Sequence, residues 1–130
     1  LPLGYAERES HQLGQEFTYG ELTVEGLVAI MQDADAQRNA ASRGPVRCFL
    51  DLGSGTGKAV LAAATLFPSL EHAIGVELSK PRHRIAADGC EALTSRLADD
   101  GLLERAIFIH GDARHAIAPI AAADVIWVSN

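Results

Sequence analysis

The chain has 130 residues, of which 48% are hydrophobic and 22% charged, as expected of one soluble globular domain with a real core. Its 17 acidic residues outnumber 11 Lys and Arg, and a net charge of −6 argues against a free-standing nucleic-acid-binding protein. No apolar run approaches the length of a membrane span and no signal peptide opens the chain, so we expect an intracellular protein without membrane contact.

The first 45 residues are predicted to be an N-terminal segment that contains one helix. Residues 1–18 show no clean period and are predicted to be irregular. Thr23 is the predicted N-cap of a helix that reaches about residue 38, with apolar side chains at helical spacing. Small and polar residues at 39–45 predict a loop, and a second region covers 46–130.

The second region begins with a short apolar run, 46–52, that leads into a glycine-rich turn, 53–57. The run shows no polar alternation, which is typical of a strand buried on both faces of a parallel sheet, and helix formers follow at 59–66. The glycines permit positive φ and let a ligand approach the backbone, while the helix behind offers free N–H groups. The pattern therefore predicts strand, tight turn and helix.

The next strand and helix carry clear boundary signals. An apolar run at 73–76 predicts a second buried strand that ends at Glu77. Ser79 is the predicted cap of a long helix, with Pro81 in its first turn and Gly101 closing it.

Two further strands complete the pattern. The third, 106–110, runs into Asp112, and after a short helical turn the fourth, 124–128, runs to Asn130. The alternation of strands and helices predicts an α/β fold with a doubly wound parallel sheet, of which these are the first four strands, preceded by an N-terminal helix.

Three kinds of nucleotide-binding loop compete for Asp51-Leu52-Gly53-Ser54-Gly55-Thr56-Gly57-Lys58. A phosphate-binding P-loop requires glycine at position 52 and a hydroxyl residue after Lys58, where the chain has Leu52 and Ala59. The dinucleotide fingerprint requires glycine or alanine where the chain has Lys58. The remaining motif, D-L-G-S-G-T-G, resembles the first motif of class I S-adenosylmethionine (SAM) methyltransferases.

Polar residues stand at the carboxyl ends of all four predicted strands, where ligands bind in such sheets. They are Asp51, Glu77, Asp112 and Asn130. Glu77 lies 77 − 53 = 24 residues after Gly53, close to the separation at which an acid accepts hydrogen bonds from a ribose diol. Asp112 is placed to accept a hydrogen bond from an adenine amino group. The cofactor predicted for this edge is SAM.

A more particular set of segments consists of Tyr19-Gly20-Glu21, the glycine turn, Gly75-Val76-Glu77, Gly111-Asp112 and residues 125–130. Together they resemble the Dot (disruptor of telomeric silencing) histone lysine methyltransferases, from about Tyr19 to the last residue. Most of these motifs are shared by all class I methyltransferases. The Tyr-Gly-Glu segment and the fourth strand ending in Asn are more specific to this family.

The resemblance implies roles for individual residues. Tyr19 and Asn130 are the implied catalytic residues, with Tyr19 in a loop that closes over the methionine end of SAM and Asn130 in the channel that admits the target lysine. The implied cofactor-binding residues are Glu21, Asp51, Gly53, Ser54, Gly55, Gly57, Lys58, Glu77, Asp112 and Ala113. No metal-spaced cluster appears, so no metal is expected.

The implied reaction is methyl transfer from SAM to a neutral lysine amine of histone H3 in the nucleosome, with a nuclear location. Such a displacement needs orientation, desolvation and a deprotonated nucleophile more than a side-chain base. The sequence shows no set of residues for nucleophilic or paired-carboxylate catalysis. The five histidines are scattered and are interpreted as structural or surface residues.

Three positions depart from the family pattern. The chain has Lys58 where the family commonly has Gln, Ala113 where it has an aromatic that packs on adenine, and Ser129 where it has Asn. The acidic chain also lacks the basic patch through which the family grips nucleosomal DNA. These differences affect the details of cofactor packing and weaken the substrate assignment.

Two other functions stay open. A class I methyltransferase that acts on a small molecule or RNA would share the SAM motifs without needing Tyr19 to Glu21. A non-catalytic SAM-binding module would keep the sheet and lose the acceptor channel. Residues after Asn130 would discriminate, because an aromatic-rich continuation favours the Dot family.

The fourth predicted strand would be an open, apolar edge. The family has seven strands in the order 3-2-1-4-5-7-6, and this chain supplies the first four. We therefore expect the natural protein to continue past Asn130 with at least three more strands, or a second chain to cover the edge.

Overall fold

The computed structural model describes residues 22–128, a four-stranded sheet with helices on both faces. In chain order the elements are α1 (Val24–Ala40), β1 (Cys48–Leu52), α2 (Lys58–Leu66), β2 (His72–Glu77), α3 (Lys80–Leu97), the short α4 (Leu102–Arg105), β3 (Ala106–His110), a 3-10 turn (Ala113–His115), α5 (Ile117–Ala122) and β4 (Val125–Val128). None of the helices in this part of the chain is long and apolar enough to cross a membrane.

All strand pairs in the sheet are parallel, and their order is β3-β2-β1-β4. The chain moves outward from β1 to β3 and then crosses back to place β4 on the other side of β1. This reversal between β1 and β4 opens a crevice at the carboxyl ends of the strands. The predicted doubly wound α/β fold is confirmed.

Alternate residues along the strands supply two separate cores. On one face Phe49 belongs to a cluster with residues of α1, α2 and α3, such as Leu27 and Val60. On the other face Leu50 and Val76 pack with Ala116, which immediately precedes α5. Because both faces of β1 are covered, its sequence is apolar without alternation.

Polar contacts tie the carboxyl-terminal half of α1 to the amino ends of the strands. Asp35 Oδ1 accepts a hydrogen bond from Val46 N at 2.7 Å, and Arg38 Nη1 lies 3.1 Å from Asp124 Oδ1. Asp124 Oδ2 accepts hydrogen bonds from two backbone N–H groups at the start of β1, at 2.8 and 3.0 Å.

The end of α3 differs from the prediction. Ser79 caps this helix and Pro81 lies in its first turn, as predicted, but Gly101 does not close it. Ala98 adopts the left-handed conformation, with φ 51°, and its N–H bonds to carbonyls of the last turn. Gly101 instead precedes α4, which the sequence pattern did not predict. Other boundaries differ by one or two residues.

Candidate functional site

The glycine turn, residues 53–57, folds back over the end of β2. The N–H groups of Gly53 and Ser54 both donate to Val76 O, at 2.8 and 3.0 Å. Gly55 has φ +57°, and no described atom lies within 4 Å of the position where its Cβ would be. A ligand can therefore approach the backbone at Gly55.

Two other glycines are required by close packing. A Cβ at Gly57 would lie 2.7 Å from the Phe108 ring and 2.9 Å from Ala86 Cβ, and a Cβ at Gly75 would lie 2.6 Å from Ser54 Oγ. In the sequence Gly75 is recognisable only as part of the Gly75-Val76-Glu77 motif. A glycine inside a strand often marks the close approach of another segment, and this signal could have revealed its packing role.

Glu77 ends β2, and its carboxylate joins the glycine turn to the start of α3. The residue is 9% exposed. Its Oε1 accepts a hydrogen bond from Gly55 N at 2.7 Å and its Oε2 accepts one from Ser79 N at 2.8 Å. Each carboxylate oxygen has a second acceptor site. The carboxylate can therefore bind a pair of hydroxyls and keep both backbone hydrogen bonds.

Asp112 follows β3 and is held by Arg114. Arg114 Nη2 lies 2.6 Å from Asp112 Oδ2, and Arg114 Nε lies 3.1 Å from both carboxylate oxygens. The backbone N–H of Arg114 also donates to Oδ1 at 2.9 Å. These hydrogen bonds from Arg114, first from its side chain and then from its backbone, hold the pKa of the Asp112 carboxyl well below its usual range.

A cavity of about 270 Å³ opens beside Asp112, between the carboxyl ends of β2 and β3 and the start of α5. Its lining includes the apolar side chains of Val76, Ile109 and Ile117 together with Asp112. Ala113 begins the adjoining 3-10 turn. His115 also lines the cavity, and a mostly apolar cavity with two polar side chains, Asp112 and His115, suits a flat heterocycle.

Asp51 and Lys58 flank the glycine turn at either side. Asp51 is 2% exposed and pairs in register with Gly75 and Trp127 on the neighbouring strands. Lys58 is the first residue of α2. The structure thus places Asp51, Lys58 and Glu77 around one turn, with Asp112 and Ala113 after the next strand. Their cofactor-binding roles stay predictions.

Tyr19, Glu21 and Asn130 lie outside the described residues, so their roles stay predictions. The last described pair of β4 is Val128 with Leu52, directly before the glycine turn. The end of β4 is therefore close to the turn.

Two of the five histidines form a contact that the sequence pattern did not predict. His83 of α3 and His110 of β3 stack with their ring centroids 5.6 Å apart, and His110 Nε2 lies 3.0 Å from Leu78 O. The pair arises from the packing of α3 on β3. Within residues 22–128 no group of three or more His, Cys, Asp and Glu side chains is arranged to hold a metal ion.

The observed groups fit the chemistry of SAM. The open backbone at Gly55 lies next to the Glu77 carboxylate, whose two oxygens each accept one backbone hydrogen bond, and the cavity beside Asp112 offers mostly apolar walls. The strand order and these strand ends define a class I SAM-dependent methyltransferase fold.

Solved structures agree with this class. The YcgJ protein from Bacillus subtilis matches with a TM-score of 0.53 and 22% identity, over 78% of this chain and 36% of that one. The plantazolicin methyltransferase BpumL in complex with SAH matches with a TM-score of 0.53 and 16% identity, over 78% and 35%. The methyltransferase domain of bacterial CtHen1 matches with a TM-score of 0.56 and 17% identity, over 82% of this chain and 50% of that one.

The chain spans between 35% and 50% of the length of these three structures. No match was found among curated protein sequences. The family described as "Histone methylation protein DOT1" matches residues 6–130. Because the match covers nearly the whole chain, the protein belongs to the DOT1 family of SAM-dependent methyltransferases.

Proposed function

We propose that this protein transfers a methyl group from SAM to a lysine side chain of histone H3 in the nucleosome core. The observation that carries the proposal is the DOT1 family match over residues 6–130. A nucleosome partner and a nuclear location belong to the same proposal.

In this proposal the cofactor lies across the carboxyl ends of β1, β2 and β3. The open backbone at Gly55 admits it, and the Glu77 carboxylate accepts hydrogen bonds from its ribose hydroxyls. The Asp112 carboxylate accepts a hydrogen bond from the adenine amino group. Ser54 and Gly57 hold the turn in place through their packing on β2, α3 and β3.

Tyr19, Glu21 and Asn130 complete the proposed site. The segment from Tyr19 to Glu21 closes over the methionine end of the cofactor, and Asn130 lines the channel for the lysine. One observation supports this arrangement: β4 approaches the glycine turn through the Val128–Leu52 pair.

The bound cofactor supplies an activated methyl group on a sulfonium sulfur. The contribution of the chain is to orient the acceptor amine in line with that group and to exclude water. A general base is not required, provided that the lysine amine arrives without its proton. The absence of a Ser, His and Asp catalytic set among the described residues is compatible with this chemistry.

The charge of the chain favours a second candidate acceptor. With 17 acidic residues against 11 Lys and Arg, the 130 residues carry a net charge of −6, which does not favour binding to nucleosomal DNA. A small-molecule acceptor would need no such face and could use the same cofactor site. An RNA acceptor or a non-catalytic module remains a further alternative.

One labelling experiment separates these functions. Radiolabelled SAM is offered to the full-length protein with nucleosomes, free histones, RNA and a pool of metabolites. The proposal predicts label on a lysine of histone H3 and more label with nucleosomes than with free histones. Label confined to RNA or to a metabolite would contradict the histone assignment, and cofactor binding without transfer to any acceptor would indicate a non-catalytic module.

A further inference from the structure

The peptide group that joins Leu78 to Ser79 is held at both ends by side chains. His110 Nε2 lies 3.0 Å from its carbonyl oxygen, and its N–H donates to Glu77 Oε2 at 2.8 Å. We propose that His110 is a positioning residue that sets the orientation of the Glu77 carboxylate through this peptide group. The inference rests on the proposed contact of Glu77 with the ribose and adds a residue that the predicted site does not contain.

The planarity of the peptide group connects the two contacts. Fixing the carbonyl oxygen of Leu78 also fixes the direction of the Ser79 N–H, because both belong to one plane. A carbonyl oxygen only accepts, so His110 Nε2 carries the proton in this contact. The hydrogen bonds therefore run in one direction, from His110 to the peptide group and from the peptide group to the carboxylate. In such a chain each hydrogen bond strengthens the next.

The register of the sheet brings the two side chains to this peptide group. Glu77 and His110 are partners across β2 and β3, and side chains of partner residues lie on the same face of a sheet. His83 of α3 stacks on the His110 ring, with 5.6 Å between the ring centroids and 27° between the ring planes. This stacking limits the rotation of the His110 ring and keeps Nε2 directed at the Leu78 carbonyl.

Packing contributes little to the position of this peptide group. The side chain of Leu78 is 68% exposed, so it anchors nothing in the core. Gly111 N donates to Glu77 O at 3.0 Å, but that hydrogen bond holds the end of the strand and does not contact the peptide group of Leu78 and Ser79. His110 is itself exposed, so it can be replaced with little risk to the fold.

The test measures how much the ribose 2′-hydroxyl contributes to binding, by titrating the full-length protein with S-adenosylhomocysteine and its 2′-deoxy analogue. The wild type should bind the analogue about 10-fold more weakly, and His110→Ala should reduce this difference to about 3-fold, because the carboxylate loses its fixed orientation. His110→Gln should restore most of the difference, since its amide can donate to the Leu78 carbonyl. His72→Ala, at the exposed start of β2, is the matched control and should behave as the wild type.

Two further measurements separate a positioning role from a general structural one. When Glu77 is already alanine, adding His110→Ala should change the affinity for either ligand by less than about 2-fold, because His110 acts through Glu77. In the unliganded protein, hydrogen exchange at the Ser79 N–H should be about 3-fold faster in His110→Ala than in the wild type.

The outcomes distinguish this inference from the cofactor assignment. An unchanged 2′-hydroxyl contribution in His110→Ala, or an equal loss of affinity for both ligands, would overturn the positioning role. If Glu77→Ala keeps the wild-type difference between the ligands, the placement of the ribose is wrong, and with it the effect of His110 on binding. Unchanged hydrogen exchange at Ser79 would overturn the inference in either case, because His110 would then not hold the peptide group.

Discussion

Gly75 has no side chain, and this allows the glycine turn to pack closely against the sheet. Gly75 lies inside β2, and Ser54 of the turn packs directly over its Cα. Ser54 is 6% exposed, and its backbone N–H also bonds to β2 through Val76 O. The position of the turn, and with it the open backbone at Gly55, therefore depends on a residue that touches no ligand.

We expect Gly75→Ala to destabilise the protein by about 1–3 kcal/mol and to weaken SAM binding, because the new Cβ would lie 2.6 Å from Ser54 Oγ. The double variant Ser54→Gly/Gly75→Ala should recover part of both losses. Denaturant unfolding and titration calorimetry measure them. The control is Gly89→Ala in α3, whose Cβ would have 3.9 Å of clearance and which should be neutral or stabilising. Equal stability of the two alanine variants would contradict the argument.

The sequence indicates those candidate site residues that stand at the end of a strand. Asp51, Glu77 and Asp112 each follow or end an apolar run, so their common edge could be inferred from topology alone. The contacts of Ser54 with Gly75 and of His83 with His110 join distant segments and depend on how the layers pack. The hydrogen bonds from Arg114 to Asp112 join residues two positions apart, but no sequence motif indicates them.

At the scale of elements, Asp124 joins three pieces of the fold. It precedes β4, pairs with Arg38 of α1, and accepts two backbone hydrogen bonds from the start of β1. These contacts lie at the amino edge of the sheet, opposite the strand end that carries Glu77. They therefore stabilise the layers without contacting the candidate site.

We expect Asp124→Ala to lower the free energy of unfolding by about 2–4 kcal/mol, since two backbone donors and a guanidinium lose a charged acceptor. The dissociation constant for SAM should stay within about 2-fold of the wild type, because the change is at the opposite edge. Asp33→Ala, on the exposed face of α1, is the matched control and should cost less than about 0.5 kcal/mol. Equal losses of stability in the two variants would contradict a special contribution of the Asp124 contacts.

Element order was predictable because short apolar runs mark the buried strands and cap residues or helical spacing mark the main helices, and most boundaries agree within two residues. The prediction that Gly101 ends α3 was wrong because Ala98 takes the left-handed cap conformation instead. Alanine carries little signal for that conformation, so the early end and the extra α4 could not be read from the sequence. The N–H groups of Val46 and Arg47, which precede β1, bond to the carboxylates of Asp35 and Asp124.

For the molecule as a whole, β4 is an edge strand of the described sheet, as the sequence predicted. Ile126 is 43% exposed and Val128 is 61% exposed, and both lie on the same face of the sheet as Leu50 and Leu52, their partners on β1. An apolar strand edge of this kind pairs readily with another chain.

We expect the 130-residue chain, when expressed alone, to self-associate through β4. Ile126→Lys should reduce the association, because an edge lysine opposes strand pairing. Light scattering across a concentration series measures it. Ile85→Lys is the control, since Ile85 is 54% exposed on α3 and away from any strand edge. A wild-type chain that stays monomeric at high concentration would contradict the expectation.

The central claim is that Glu77 binds the ribose of SAM beside the glycine turn. It is tested most directly by titrating wild type and Glu77→Ala with S-adenosylhomocysteine and with an analogue that lacks the ribose 2′-hydroxyl, with exposed Glu91→Ala as the control. The wild type and Glu91→Ala should bind the analogue about 10-fold more weakly, whereas Glu77→Ala should distinguish the two ligands by less than about 2-fold. The same loss of affinity in all three proteins would contradict the claim, because the hydroxyl would then have another partner.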